Sequence, residues 1–210
     1  MAITAIQTWR PPQAAARDRK GDRTRAQLFA AALAEFRRVG FEAASIGRIA
    51  ARAGTSRANF YVYYPCKEAV LLDLQWRMEL DIVEHIRPCR SLRDALATLM
   101  EALIEVETRL EHTDLLKDML GVYVRCPAGL DLMAQPFPLH TELTQRFANA
   151  EPGELRAGLD PGLASDLFFC SLFGLLLGLR GPLASRRAEA QLLTNLFLQE
   201  PKSRRGRRRS

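Results

Sequence analysis

The chain has 210 residues, 48% of them hydrophobic, so it is long enough to bury a core and to hold one large domain or a small one with a larger. Its net charge of +6 is segregated: 12 basic against 5 acidic residues over 1–68, 12 against 18 over 69–199, and 6 against 1 over 200–210. That split directs a positive field at a polyanion from the amino-terminal third and the carboxy-terminal end, and gives the acidic middle another task.

Residues 1–21 form a flexible basic arm by composition, with Arg10, Arg17, Arg19 and Lys20 among Pro and Ala. Thr4, Gln7 and the run Trp9-Arg10-Pro11-Pro12 interrupt any apolar secretory core, so the expected location is the cytoplasm. Cys66, Cys89, Cys126 and Cys170 lie far apart without a C-x-x-C pair, which fits reduced thiols and no metal site.

Thr24-Arg25-Ala26-Gln27 has the form of a capping box, predicting that helix one starts there. Leu28, Phe29, Ala32, Leu33 and Phe36 recur at helical spacing, and Gly40 follows where a left-handed carboxyl cap needs glycine. Ser45 is the expected cap of helix two, which carries Ile46, Ile49, Ala50 and Ala53 and stops at Gly54; Ala50 and Gly54 are small enough to admit a close neighbour. Ser56 then caps a third helix through Arg57-Ala58-Asn59-Phe60-Tyr61-Val62-Tyr63, ended by Pro65. Two short helices joined at Ala53-Gly54-Thr55-Ser56 make a helix-turn-helix, so a DNA reader is the leading expectation for residues 22–68.

Residues 69–199 read as a helical body. A long helix from near Lys67 carries Leu71, Leu74, Met78, Ile82 and His85 and ends at Pro88; a second from Ser91 carries Leu92, Leu96, Leu99, Leu103, Val106 and Leu110. Helices follow over 114–125 and 139–150, flanking a Pro- and Gly-rich stretch over 127–138. Met78, His85, Met119, Tyr123, His140 and Phe147 add polar or polarisable groups to aliphatic faces and are the candidate pocket residues. His85 and Cys89 have metal-ligand spacing, but Pro88 between them spoils it. The run Leu167 to Leu179 is apolar nearly all round and, at about thirteen residues, falls short of the ~20 needed to span a membrane, so no membrane association is expected. A last amphipathic helix covers 184–198, and residues 200–210 form a disordered basic tail. No catalytic motif and no cofactor signature are present, so no enzyme is expected.

The run Ala31-Ala32-Leu33, Phe36, Gly40-Phe41, Ser45-Ile46, Ile49-Ala50, Ala53-Gly54-Thr55-Ser56, Phe60-Tyr61, Tyr63-Tyr64 and Lys67-Glu68 closely resembles the DNA-binding domain of the tetracycline-repressor (TetR) family over about 48 residues. The resemblance implies an all-α protein of about nine helices: a three-helix head, and a larger body that binds an effector and dimerises. It implies a homodimeric transcriptional repressor on a near-palindromic operator in double-stranded DNA, released by a small molecule it does not identify. Carried over by position, Ser45 and Lys67 hold phosphates, Tyr61 and Tyr63 meet backbone or thymine methyls, and Arg57, Ala58 and Asn59 face base edges behind the cap Ser56. Arg48 is a further phosphate or base candidate. Within the same resemblance the last two helices pair with their copies in a second subunit, placing Leu167, Phe168, Leu172, Gly174, Leu175, Gly178, Leu192 and Leu196 at the interface. The alternative is a DNA-bound interaction protein regulated by a protein partner.

Cys66 departs from that pattern, standing where an oxygen-bearing cap is usual. The plain reading is a weak cap; a helix amino terminus beside Lys67 is also a setting that lowers a thiol pKa and makes an oxidation-sensitive contact.

Overall fold

A computed structural model describes residues 19–110, 115–125, 137–178 and 182–200. All named elements among them are helices: α1 Arg19–Val39, α2 Ile46–Arg52, α3 Arg57–Tyr63, α4 Glu68–Ile86, α5 Leu92–Leu110, α6 Leu115–Arg125, α7 Pro138–Ala148, α8 Pro161–Gly178 and α9 Leu183–Phe197. The only extended pairing among the described residues is an isolated antiparallel bridge between Leu155 and Leu198. No described helix is long and apolar enough to cross a membrane. The basic arm over 1–18, the tail over 201–210 and most of the Pro- and Gly-rich stretch lie outside the described residues.

The chain forms two compact units, 1–82 with 105–139 and 83–104 with 140–210. Passage between them falls within α4, within α5 and between the second and third residues of α7.

In the first unit, α1 begins at Arg19, so Thr24 lies within the helix and the capping box does not form. Gly21 is the one weak helix former in that extension, at a cost of about 1 kcal/mol, while Asp22 stands in the first turn where the helix dipole favours it. Gly40, at φ 80°, closes α1 with its N–H on the Phe36 carbonyl (2.8 Å), and Phe41 returns edge-on to the Phe36 ring at 5.1 Å. The core beneath is Leu28, Ala32, Phe36, Phe41, Ile49, Ala50, Phe60, Tyr64, Val70 and Leu71, extended by Leu110, Leu115, Met119, Val122 and Phe137.

Buried polar groups join the helices of this unit. Glu79 of α4 accepts from the Leu139 N–H at the start of α7 (3.1 Å) and from Gln75 (2.6 Å), and its burial pushes the carboxyl up to about 7. Asp73, also on α4, takes hydrogen bonds from Arg25, Tyr64 and Arg77.

The second unit is centred on Phe147, Phe168 and Phe197, whose ring centroids stand 5.4 to 6.4 Å apart. Arg146, held by Glu142 at 2.7 Å, donates to the carbonyls of Ile86, Arg87 and Cys89, closing the carboxyl end of α4 before and after Pro88. Glu154 and Ser91 cap the start of α5, and Asp160 caps α8 through the Leu163 N–H at 2.9 Å.

Candidate DNA-binding surface

Four local devices aim the short helix α3. The α2 carboxyl end is a Schellman motif: Thr55 N–H bonds the Ala50 carbonyl at 2.9 Å and Gly54 N–H the Ala51 carbonyl at 3.1 Å. Gly54 sits at φ 68°, and a Cβ added there meets nothing within 4 Å, so glycine is required for its backbone angle and not to admit a close neighbour, as its size alone suggests. Ser56 accepts from the Asn59 N–H at 3.1 Å, capping α3. Tyr64, extended at φ −134° and ψ 110°, precedes Pro65 and stops it.

The result is a seven-residue helix with one fully buried side chain, Phe60, and four residues exposed. Arg57 and Ala58 are exposed, Tyr61 is 43% exposed and Val62 75%. Val62 was not singled out from the sequence as a contact; its place two residues after the buried Phe60 was the available signal, because on a helix that spacing points away from the packed side. Tyr63 is half-buried against the core, and Tyr64 is wholly buried. Asn59 is half-buried and donates from its amide to the Thr55 hydroxyl at 2.6 Å, so its side chain is oriented along the turn.

On α2, Ser45 adopts the extended cap backbone but makes no capping bond with its side chain. Arg48 is largely exposed, 3.9 Å from Glu35, whose carboxylate is gripped by Arg38 through bonds of 2.8 and 3.0 Å. That hydrogen-bonded grip holds the Glu35 carboxyl below its ordinary range.

Lys67 and Cys66 stand just before α4. Lys67 does not extend into solvent: its ammonium donates to the Phe41 and Glu42 carbonyls, both at 2.9 Å, and lies 4.8 Å from the Phe41 ring centre. It brackets the turn after α1, an arrangement linking residues 25 positions apart that no local motif announces. Cys66 is half-buried, and its thiol is pushed up to about 12, foremost by burial. Of the two readings of Cys66, the lowered thiol pKa is overturned: desolvation of the charged form outweighs the backbone N–H groups of Ala69 and Glu68 that favour it.

The other expected residues separate between the two units. Met119 is buried and Met78 partly buried in the first-unit core. Tyr123 lies on α6, its side chain outside the described residues. His85 is exposed near the end of α4, where Ile82, Val83 and Ile86 are the buried residues. In the second unit, His140 stands edge-on to Phe169 at 5.1 Å, and Phe147 is a wholly buried member of the phenylalanine core.

On α8, Leu163, Leu167, Cys170, Ser171 and Gly174 form one exposed stripe, and Leu192 and Leu196 are exposed on α9, while Leu175 is half-buried. Phe168 and Leu172 are buried within the chain, so the expectation that they face a second copy is corrected. A helix apolar nearly all round has no period to say which side faces inward. Gly178 closes α8 beyond its described side chains.

Residues 28–74 match the family model of bacterial regulatory proteins, tetR family. No curated protein matches the chain in sequence. Among solved structures, Thermus thermophilus FadR, a TetR-family transcriptional repressor in complex with lauroyl-CoA, is 23% identical with a TM-score of 0.61, over 87% of this chain and 100% of that one. A TetR family transcription regulator from Marinobacter aquaeolei VT8 is 18% identical with a TM-score of 0.57, over 86% and 98%. SmeT, the repressor of the Stenotrophomonas maltophilia multidrug efflux pump SmeDEF, is 21% identical with a TM-score of 0.54, over 84% and 91%. The chain thus carries a segment like the family's amino-terminal model over residues 28–74 and shares the fold of these regulators along most of its length.

Proposed function

We propose that the chain is a homodimeric repressor of transcription that binds a near-palindromic operator and leaves it when a small molecule occupies its carboxy-terminal part. In functional terms residues 22–68 are the DNA-binding head and 69–199 the effector-binding and dimerising body. The observation that carries this reading is α3: a capped helix held by the buried Phe60 with Tyr63 packed beside it, and with Arg57, Ala58, Tyr61 and Val62 presented outward.

Arg57 reads a base edge, because its fork matches the two guanine acceptors of the major groove, and Val62 and Ala58 supply methyl-sized contacts to thymine. Tyr61 hydroxyl and the uncapped Ser45 hydroxyl bond phosphate, with Arg48 beside them. Asn59 reads a base only by leaving Thr55, and Lys67 reaches phosphate with the donor its two carbonyl bonds leave over. The exposed leucines of α8 and α9 meet their copies in a second subunit, as an apolar surface of this kind needs cover. Effector release follows if the ligand prefers a head spacing other than the 34–36 Å that successive major grooves demand. The Thermus repressor's complex with lauroyl-CoA supports a small-molecule effector, and Met78 and Met119, both in the first unit, are the side chains proposed to lie nearest it.

The test is selection from a random duplex pool by the full-length protein, followed by sizing of the complex. Recovery of an inverted repeat bound by two copies is expected. Sequence-independent recovery, or one copy per site, removes the reading.

A further inference from the structure

One carboxylate gathers three helices of the first unit. Asp73 stands on α4, and its side chain is fully buried. Its Oδ2 accepts the Tyr64 hydroxyl at 2.6 Å and the Arg25 Nε–H at 3.2 Å, and its Oδ1 accepts the Arg77 Nε–H at 2.8 Å. Arg25 comes from α1, Arg77 is one turn along α4, and Tyr64 is the residue on which α3 ends.

Tyr64 is more than an adjacent residue. Its N–H closes the last turn of α3 on the Phe60 carbonyl at 2.9 Å, and its ring, wholly buried, packs on Phe60 at 5.7 Å between centroids. Phe60 is the fully buried side chain of α3, seated in the core with the half-buried Tyr63 beside it. A displacement of the Tyr64 hydroxyl is therefore carried to the seat of α3 through a backbone bond and a ring contact. Arg25 adds the third wall, with its guanidinium 5.2 Å over the Tyr64 ring, and Arg77 covers the Phe29 ring of α1 at 4.3 Å.

This arrangement is costly as a stabilising device. Burying a carboxylate and a guanidinium is offset only by good geometry, and a well-packed apolar replacement is often no less stable. Here the Arg25 Nη2 is buried with no hydrogen-bond partner among the described residues. What the cluster provides is direction: two oxygens fix where Tyr64 can sit relative to α4, whereas an apolar contact tolerates sliding.

We propose that Asp73 is a positioning residue for operator binding, locking the carboxyl end of α3 to α4 through the Tyr64 hydroxyl. The reading rests on α3 being the operator-reading helix. It makes the Tyr64–Asp73 bond the joint at which a shift of α4 along its axis redirects Arg57 and Tyr61. Both phenol and carboxylate are enclosed, so water does not substitute for the bond once it is broken.

The test uses the full-length protein and the duplex it selects from a random pool, with a scrambled duplex at the same salt as reference. Tyr64→Phe deletes one oxygen and leaves the packed ring, so it carries the test independently of whether Asp73→Ala folds. Expected is a loss of about tenfold in affinity for the selected duplex with unchanged affinity for the scrambled one, in protein whose helical circular dichroism matches wild type. In the Asp73→Ala background, Tyr64→Phe is expected to add no further loss, the signature of residues acting as one unit. A Tyr64→Phe protein that melts earlier yet keeps the wild-type ratio of selected to scrambled affinity overturns the inference, leaving the cluster merely structural. If wild-type protein selects no duplex, the operator reading fails first and takes the inference with it.

Discussion

The outward faces of α3 and of α8 with α9 are both incompletely covered, and they differ in what they expose. On α3 an arginine, a tyrosine, an alanine and a valine stand side by side on a helix of two turns, within a segment of excess positive charge. On α8 and α9 the exposed large hydrophobics are leucines, with Ser171 and Gly174 beside them on α8 and polar Arg187, Gln191 and Asn195 also exposed on α9, in the segment whose acidic residues outnumber its basic ones. A groove of bases and phosphates rewards the first mixture, since hydrogen-bond donors and methyl contacts are both used there. A second apolar surface rewards the other, since burial is proportional to area and indifferent to direction.

The sharpest break in that contrast is Leu192→Asp, which puts a charge on a side chain 63% exposed in the chain and costs it nothing in the internal core. Expected is a monomer by sedimentation, with operator affinity lower by on the order of 10³-fold because the second half-site no longer binds as part of one molecule. A dimer of unchanged affinity would move the interface elsewhere. Glu79 provides an interior control. Folded Glu79 holds its proton to about 7 and an ordinary glutamate to 4.5, so stability is highest below the lower value and falls as pH rises through that window. In Glu79→Gln the slope disappears, a relative gain of up to about 3 kcal/mol at pH 8 in denaturant melts. Identical melts for both proteins at pH 5 and 8 would refute it.

Arg57→Ala tests the other face. Operator binding is expected to weaken by about 1–3 kcal/mol, with preference relaxed at one base pair and assembly untouched. A uniform loss across all sequences would demote Arg57 to a phosphate contact. The smallest effect is expected at Cys66, where a half-buried thiol pushed up to about 12 has almost no thiolate at neutral pH. Peroxide should leave the operator affinity of the wild type and of Cys66→Ser alike; a loss confined to wild type would restore the redox idea.

Sequence carried the local geometry of the head well. Gly40, Gly54, Ser56 and Pro65 each stop or start a helix for a reason contained within a few residues, and each does so in the structure. It failed where the deciding partner is distant. Thr24 looked like a cap because the box is complete in four letters, yet the helix runs through it from Arg19. Lys67 turned back onto carbonyls of residues 41 and 42, and Asp73 collected Arg25 from 48 positions away. Phe168 and Leu172 were assigned outward on a helix whose composition is apolar on every side, where only the neighbouring Phe147 and Phe197 rings could choose for one of them. Opposite reasoning applies to Val62, an apolar residue that periodicity sends outward and habit sends inward.

The three passages of the chain between its compact units, within α4, within α5 and just inside α7, bear on how the protein can be dissected. Neither unit is a continuous stretch of sequence. A recombinant fragment ending at residue 82 lacks Leu110, Leu115, Met119 and Phe137, which belong to the same core as Leu28 and Phe60, and opens an apolar surface in doing so. Protease nicking in the loops therefore yields no autonomous reader of DNA, and a shorter reagent for operator mapping has to be made by keeping both units and trimming only the ends.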